Sequence, residues 1–346
     1  MRIAVVGSGF ITPAIFKEEL TRELGEYDVQ ELLLPWPGVT RRRDDEIQEY
    51  VGGFDEVIET ARHASALVTD LAPVNEYILA QLPDLKMIGV ARGGPVNVNV
   101  EAATRRGIPV VNAPGRNGVA VAEFTVAMIL SILRRLGEGQ DNLRRGLWQG
   151  DLYRYETSAL ELQGRTAGLV GLGQVGGRVA KILEAFGMKV LAYDPFLDES
   201  AMKAVGVTPA SLQELLTKSD VVSLHARLTK DTTGMVGAEQ LALMKPSAIL
   251  INTARAGILD YAALSDALVA GRLGGAGLDV YDNEPPNVAD PMYALPTVLS
   301  QPHVGGATQE SARRGASMVA VDVRRYLVEG IDPLHCKNKE VLTARR

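Results

Sequence analysis

Residues 168–180 read GLVGLGQVGGRVA, and this stretch decides the fold. An apolar run ends at Val170, and the turn that follows has glycines at the spacing G-x-G-x-x-G: Gly171, Gly173 and Gly176. The residues after it carry apolar side chains at helical spacing: Val175, Val179, Ile182, Leu183 and Phe186. A strand, a glycine turn and an amphipathic helix in this order predict a βα unit whose backbone approaches a ligand closely.

This pattern is typical of dinucleotide binding. The glycines allow a tight turn against a pyrophosphate, and the helix N-terminus offers N–H groups and a positive dipole end. The next strand, KVLAYD, ends in Asp194, at about the distance expected of the carboxylate that bonds the adenine ribose. That carboxylate would repel a 2′-phosphate, so the sequence favours NAD over NADP.

A second glycine turn lies near the start of the chain, in MRIAVVGSGFIT (residues 1–12). Thr12 stands in the place of the third glycine, and Thr12-Pro13 is typical of an N-cap followed by proline at the first helical position. The next strand, VQELLL, ends at Pro35 without a carboxylate. We expect a structural turn, or a loop that serves another ligand such as a wall of the substrate pocket.

The composition excludes several classes of protein. The 346 residues suffice for two domains with cores, and the formal net charge of −6 disfavours nucleic acid and anionic membranes as partners. The sequence has no apolar run of about 18 residues, no signal-peptide cleavage pattern and one cysteine, Cys336. We expect a cytoplasmic protein without a metal site, acting on a small molecule.

Short β-rich runs alternate with helical patterns along most of the chain. One series of runs ends near Ala113 and a second begins at Ala167. Between them lies VAEFTVAMILSILRRL (residues 121–136), which predicts one buried helix. The alternation predicts an α/β protein with two doubly wound parallel sheets.

Ligands of such sheets bind beyond the carboxyl ends of the strands. In the second series the residues at or just beyond these ends are Gly171, Asp194, His225, Thr253, Ala254, Arg255, Asp279, Glu284 and His303. A nicotinamide enzyme needs an acid or base with a pKa near neutrality, a guanidinium for a carboxylate substrate, and a carboxylate that keeps a histidine protonated. Arg255, Glu284 and His303 meet this description.

Other interpretations of these residues remain open. His225 follows an apolar strand, and we favour a wall of the cofactor site over a chemical role for it. His303 lies in QPHVGG, where proline and glycine shape the backbone, and we favour catalysis. Glu284, within NEPP, would alone indicate a surface turn, and only its association with His303 and Arg255 makes it a candidate.

These stretches resemble the D-isomer-specific 2-hydroxyacid dehydrogenases, which include phosphoglycerate dehydrogenase and glyoxylate/hydroxypyruvate reductases. The resemblance runs from about Ala64 to Gly330 and rests on GLGQVG, AYDP, SDVVSLH, NTARAGILD, GLDVYDNEPP and QPHVGGAT. It implies a flavodoxin-like substrate domain (residues 1–117 plus 306–346), a Rossmann NAD-binding domain (residues 118–305) and an active site in the cleft. It also implies a homodimer with the 121–136 helix at its interface.

The implied reaction is hydride transfer between NADH and the keto carbon of a 2-oxo acid. The resemblance makes His303 the proton donor, Glu284 its hydrogen-bond partner and Arg255 the group that binds the carboxylate and polarises the keto oxygen. Asp279 falls at the nicotinamide-amide contact. The predicted cofactor contacts are Gly171, Gly173, Gln174, Val175, Gly176, Asp194, His225, Thr232, Thr253, Ala254, Asp279 and Gly305.

The resemblance also implies a substrate-carboxylate loop in ARGGPVN (residues 91–97). The predicted substrate contacts are Arg92, Gly93, Gly94, Arg255 and His303. Relatives often have a small residue in place of Arg92, which here either meets a distal hydroxyl or second carboxylate or pairs with a neighbouring acid. Asp70 falls near a position where relatives with phosphorylated substrates carry arginine.

An acid at that position would repel phosphate, so we expect an unphosphorylated, hydroxypyruvate- or glyoxylate-like substrate. D-3-phosphoglycerate dehydrogenase is the alternative within the family. An NAD-sensing corepressor, which keeps similar motifs but binds a peptide partner, is the alternative from another class.

Overall fold

The computed structural model describes residues 1–343. Its strands are β1 (Arg2–Gly7), β2 (Asp28–Leu33), β3 (Ala66–Thr69), β4 (Met87–Val90), β5 (Val110–Asn112), β6 (Thr166–Val170), β7 (Lys189–Tyr193), β8 (Thr208–Pro209), β9 (Val221–Leu224), β10 (Ile249–Asn252), β11 (Gly275–Leu278) and β12 (Val298–Ser300). Its α-helices are α1 (Pro13–Leu24), α2 (Phe54–Ala61), α3 (Glu76–Ala80), α4 (Val100–Arg105), α5 (Gly118–Leu133), α6 (Leu136–Arg144), α7 (Gly176–Ala185), α8 (Glu199–Ala204), α9 (Leu212–Lys218), α10 (Ala238–Ala242), α11 (Tyr261–Val269), α12 (Gln309–Val323) and α13 (Glu340–Thr343).

The chain divides into two compact units. The first comprises residues 1–117 and the chain from Ala307 onward, and the second comprises residues 118–306. These limits differ from the predicted boundary only in residue 306, which belongs to the second unit. Both units are built on parallel sheets covered by helices, as the alternating sequence pattern predicts.

The first unit contains a five-stranded sheet in the order β2-β1-β3-β4-β5 within the described residues. Alternate residues of β1 point to opposite faces of this sheet. Ile3 and Val5 join a core with residues of α1 and α12, whereas Ala4 and Val6 join a core with residues of α2, α3 and α4. The order of the strands reverses between β1 and β3, so the carboxyl ends of these two strands flank the position where ligands bind such sheets.

The second unit contains a seven-stranded parallel sheet in the order β12-β11-β10-β9-β6-β7-β8 over the same described range. The sequence pattern missed β8, whose two residues pair with β7 and are too short to give a periodic signal. The order reverses between β6 and β9, which places the glycine turn after β6 at the expected ligand-binding position.

The buried helix predicted over residues 121–136 is α5, which ends three residues before the predicted end. Helix α5 ends at Leu133, and Arg135 then adopts a left-handed backbone with φ of 54° before α6 begins. The guanidinium of Arg135 donates to Glu138 and to the carbonyl of Thr157, which fixes this break. The apolar pattern predicts α5 correctly because much of α5 is buried. It does not predict the end of the helix, because side-chain polarity gives no signal for the left-handed backbone of Arg135.

The close packing of α9 on β6 gives a test of this fold. A Cβ on Gly168 would lie 2.4 Å from Leu215 Cδ2 and 2.4 Å from Ser219 Oγ, both within the core. We expect Gly168→Ala to destabilise the protein by about 1–3 kcal/mol because of overpacking, and thermal unfolding should show a Tm lower by several degrees.

Gly139→Ala is the matched control, because Gly139 lies within α6 and a Cβ there meets no atom within 4 Å. This control should keep or raise the Tm, since alanine favours a helix interior more than glycine does. An unchanged Tm in Gly168→Ala would contradict the packing described here.

Candidate active site

The glycines of the turn after β6 have three different surroundings. Gly171 has φ of 95°, and a Cβ there would lie 2.7 Å from the backbone nitrogen of Ala226. A Cβ on Gly176 would lie 2.1 Å from the carbonyl oxygen of Gly171, so α7 packs directly against the turn. A Cβ on Gly173 meets nothing within 4 Å. The first and third glycines therefore close the turn, and the second leaves space where a ligand reaches the backbone.

The backbone N–H groups of this turn are available to a ligand. Leu172 N donates to Asp194 Oδ2 at 2.9 Å, and Gly177 N donates to the carbonyl of Gly173 at 3.1 Å. No acceptor within residues 1–343 receives the N–H groups of Gly173, Gln174 and Val175. Free donors at the N-terminus of the ten-residue α7 fit the phosphates of a dinucleotide.

Asp194 follows β7 and lies at the edge of the same turn. Its Oδ2 accepts from Leu172 N, and its Oδ1 accepts from Phe196 N at 3.0 Å. These two bonds fix the carboxylate beside the glycine turn, at the end of the neighbouring strand. Each oxygen keeps a further lone pair, so the ribose hydroxyls of an adenosine fit this position.

The turn after β1 differs in the use of its N–H groups. Ser8 N donates to the carbonyl of Ile11 at 3.0 Å, Gly9 N to the carbonyl of Trp36 at 2.9 Å, and Phe10 N to Ser8 Oγ at 3.1 Å. Thr12 caps α1 through its hydroxyl, as its sequence position predicts. Because the turn satisfies its own donors, it offers no phosphate cradle.

His303 and Glu284 lie at the carboxyl end of the other half of the second sheet, beyond β12 and β11. The Nδ1 atom of His303 lies 2.7 Å from Oε1 and 2.9 Å from Oε2 of Glu284. Both side chains are about one-third exposed, at 34% and 39%, so the pair is open to a ligand. His303 has φ of 55°, a left-handed conformation that is costly for a residue with a side chain and that recurs at functional sites.

Asp279 holds this unusual backbone in place. Its Oδ1 accepts from Val304 N and its Oδ2 from Gly305 N, each at 2.8 Å. Burial raises the pKa of the Asp279 carboxyl, and the two backbone donors oppose that shift. The carboxylate thus fixes the two residues after His303. Sequence reasoning missed this positioning contact, because acceptance by backbone N–H groups leaves no residue-type signal.

Arg255 is the third candidate catalytic residue. It lies beyond the end of β10, after Thr253 and Ala254. Its side chain is exposed, and Nη1 donates to the carbonyl of Ala254 at 2.7 Å. Within the described part of the chain it pairs with no carboxylate. Thr253, by contrast, is buried and bonds Thr125 of α5 at 2.8 Å. Arg255 is therefore a cation at this edge with no carboxylate partner in the described chain, and its remaining donors are available for a ligand.

His225 differs from His303 in its environment. Its Nε2 lies 2.9 Å from Ser223 Oγ, and burial lowers the pKa of the ring to about 4. A ring that is neutral at pH 7 is a poor general acid. Nearby, the buried hydroxyl of Thr232 donates to the carbonyl of Arg227 at 2.6 Å, so Thr232 shapes the loop after β9.

In the first unit, the loop after β4 exposes two glycines. Gly93 and Gly94 have open space around a Cβ, and within the described residues their N–H groups meet no acceptor. Arg92 pairs with the carboxylate of Glu49 and also donates to its carbonyl at 3.1 Å. Asp70 is buried, accepts from Ser8 Oγ at 2.5 Å, and has a pKa that burial raises to about 6.

Within residues 1–343, no group of three or more His, Cys, Asp or Glu side chains is arranged to hold a metal ion. None of the helices described there is long and apolar enough to cross a membrane.

Comparison with known proteins agrees with this geometry. Residues 126–305 match the family described as D-isomer specific 2-hydroxyacid dehydrogenase, NAD binding domain. The glyoxylate reductase of Aeropyrum pernix is 36% identical in an alignment 345 positions long, which covers 97% of this chain and 97% of that protein. The crystal structure of the TT0316 protein from Thermus thermophilus is 34% identical, with a TM-score of 0.80 over 97% of this chain and 100% of that one.

The D-3-phosphoglycerate dehydrogenase of Archaeoglobus fulgidus is 38% identical over 265 residues, which is 77% of this chain. That match covers 50% of the relative, so this chain spans about half the length of several curated proteins that it resembles. The same conclusion follows from the glycine turn, the strand-end residues and these similarities. The chain belongs to the D-isomer specific 2-hydroxyacid dehydrogenase family.

Proposed function

We propose that this protein is an NAD-dependent oxidoreductase that interconverts a 2-oxo acid and a D-2-hydroxy acid. The observation that carries the proposal is the contact of 2.7 Å between Glu284 and His303, on the sheet edge that also holds the open glycine turn. Reduction of a carbonyl needs a hydride donor and an acid that protonates the new alkoxide. The glycine turn and His303 fit these two requirements.

The chain's own residues have separate tasks in this proposal. The bound cofactor supplies the hydride. His303 gives a proton from Nε2 to the carbonyl oxygen, since its Nδ1 faces Glu284. Glu284 fixes the orientation of the ring through its contacts with Nδ1. Arg255 binds the substrate carboxylate and polarises the carbonyl, because its guanidinium is exposed and has no carboxylate partner in the described chain.

NAD is the proposed cofactor, with NADP disfavoured. The support is Asp194, whose carboxylate is fixed by Leu172 N and Phe196 N beside the glycine turn. A fixed negative charge at this position accepts from ribose hydroxyls and repels a 2′-phosphate. Asp279, with both oxygens bound to the backbone after His303, serves mainly to position His303 in this proposal.

The proposed substrate is a small, unphosphorylated 2-oxo acid. The free N–H groups of Gly93 and Gly94 support a carboxylate site in the first unit. The pairing of Arg92 with Glu49 neutralises the arginine that would otherwise favour a second acidic group. Asp70 is ionised for the most part above pH 6, and its negative charge opposes a phosphate.

His303→Ala tests the chemical role of the pair. We expect this variant to lose at least about a hundredfold in kcat for reduction of hydroxypyruvate or glyoxylate, because the alkoxide loses its proton donor. Binding of NADH, measured by calorimetry, should persist. His63→Ala is the control, since His63 is exposed and pairs with Asp84 in the first unit. Turnover near the wild-type value in His303→Ala would end the proposal.

A substrate panel tests the choice of acid. We expect kcat/KM for hydroxypyruvate or glyoxylate to exceed that for phosphohydroxypyruvate by at least about tenfold, and Asp70→Asn to narrow this ratio by removing a buried charge. The assay compares initial rates with NADH and with NADPH. A preference for the phosphorylated acid would favour D-3-phosphoglycerate dehydrogenase, which the similarity to the Archaeoglobus enzyme supports.

Tight NADH binding without turnover of any acid would instead contradict an enzymatic role. That outcome would favour the cofactor-sensing corepressor as the alternative function.

We further propose that the protein acts as a homodimer. The support is the segment from α6 to Tyr155, in which α6 has no buried residue and Trp148 is 89% exposed. The exposed apolar side chains of this segment are Leu136, Leu143, Leu147, Trp148, Tyr153 and Tyr155. A patch of this composition is typical of a surface that a protein partner covers.

Sedimentation velocity tests the dimer. We expect the wild type to sediment as a species of twice the 37.1 kDa chain, and Trp148→Ser with Tyr153→Ser to shift it towards the monomer. Val288→Ser is the control, because Val288 is exposed but lies outside this segment. A double variant that remains dimeric would place the interface elsewhere.

A further inference from the structure

Arg227 lies next to the glycine turn without a role in the proposed reaction. Strand β9 ends at Leu224 and neighbours β6 in the sheet. The backbone of Ala226 leaves no room for a side chain at Gly171, because a Cβ on that glycine would lie 2.7 Å from Ala226 N. Arg227 is the next residue, so its side chain leaves the backbone one residue beyond the closest contact of this loop with the turn.

The backbone of Arg227 is fixed while its side chain is not paired. Thr232 Oγ1 donates to the Arg227 carbonyl at 2.6 Å and accepts from Thr229 N at 2.8 Å, which ties the loop together. The Arg227 side chain is exposed. Over the described residues its guanidinium has neither a carboxylate partner nor a hydrogen-bond acceptor. Because the backbone is held in place and the side chain has no partner, the Arg227 guanidinium is available to bind a ligand.

A second arginine lies at the start of the helix that follows the turn. Arg178 is the third residue of α7, and its Nη1 donates to the carbonyl of Gln174 at 3.2 Å and to its Oε1 at 3.4 Å. A cation in the first turn of a helix is opposed by the helix dipole. No carboxylate among residues 1–343 pairs with Arg178 to offset this unfavourable interaction. An anion bound at the turn would offset it.

The charges around the turn fit a dianion. Three N–H groups without acceptors and the N-terminus of α7 lie at the turn, where a Cβ on Gly173 meets no atom within 4 Å. Arg178 is in the first turn of that helix, and Arg227 is one residue beyond the contact of the loop after β9 with Gly171. The Asp194 carboxylate also contacts this turn, and its two oxygens accept from Leu172 N and Phe196 N at the end of β7. We propose that Arg178, from α7, and Arg227, from the loop after β9, bind the pyrophosphate of the dinucleotide. This inference rests on the cofactor site proposed above.

The strand order favours the pyrophosphate over a 2′-phosphate as the target of Arg227. Neighbouring strands lie about 4.8 Å apart, so the end of β9 is one spacing from the glycine turn after β6. Asp194 marks the ribose position after β7, which is on the far side of β6 and about 10 Å from β9. An arginine at the end of β9 therefore meets the phosphates over β6 first.

Arg227→Gln and Arg178→Gln test this inference by calorimetry with NADH, NADPH and adenosine. We expect each variant to raise the Kd for NADH by about tenfold, because a charge-assisted bond to phosphate is lost, and Arg227→Lys to recover part of it. The Kd for NADPH should rise by the same factor, and binding of adenosine, which has no phosphate, should not change. The slope of log Kd against log salt concentration should also become less steep.

Arg272→Gln is the matched control, because Arg272 is an exposed arginine in the turn after α11, away from the glycine turn. An unchanged Kd for NADH in both test variants would overturn the inference. A weaker affinity for NADPH alone would assign Arg227 to a 2′-phosphate and overturn the inference. An equal loss of affinity for adenosine would show a structural effect of the substitution and would overturn it as well. Failure of the wild type to bind either dinucleotide would overturn the proposed function and this inference with it.

Discussion

The absence of side chains at Gly171 and Gly176 is the constraint on which the second unit depends. A Cβ on Gly176 would lie 2.1 Å from the Gly171 carbonyl, and a Cβ on Gly171 would meet the backbone of Ala226. The end of β6, the start of α7 and the loop after β9 can therefore meet only through bare backbone. The N–H groups of Gly173, Gln174 and Val175 in the same turn have no acceptor in the described chain, and the contact with Ala226 places the backbone of Arg227 one residue from the turn.

The other end of the sheet depends on a different interaction. The Asp279 carboxylate accepts two backbone N–H groups and so holds the residues that follow His303, whose own φ is 55°. Backbone strain of this kind persists where surrounding bonds over-determine it. Glu284 then fixes the ring through Nδ1. One carboxylate thus sets the backbone and a second sets the side chain, which orients the proposed proton donor in both respects.

The two glycine turns show how little separates a ligand-binding loop from a structural one. Both follow the first strand of a parallel sheet at a reversal of strand order. In the first unit, Gly9 packs against the carbonyl of Trp36, and the backbone donors of the turn are used by Ile11, Trp36 and Ser8. In the second unit Leu172 N donates to Asp194, whereas the N–H groups of Gly173 and Gln174, which correspond to those of Gly9 and Phe10, have no acceptor in the described chain. The two turns differ in sequence at the third glycine position, which is Thr12 in the first unit and Gly176 in the second. This difference predicts which turn is structural and which can bind a ligand.

The sequence by itself determined the α/β class, the position of the glycine turn and the identity of Asp194, Arg255, Glu284 and His303 as strand-end residues. These features are local or periodic, since strands, turns and caps depend on neighbouring residues. Only the tertiary structure decided that Arg135 breaks the long helix, that Glu49 neutralises Arg92 and that Asp279 binds the backbone after His303. The last two contacts join residues far apart in the chain, and the first is a backbone angle, so neither residue type nor spacing encodes them.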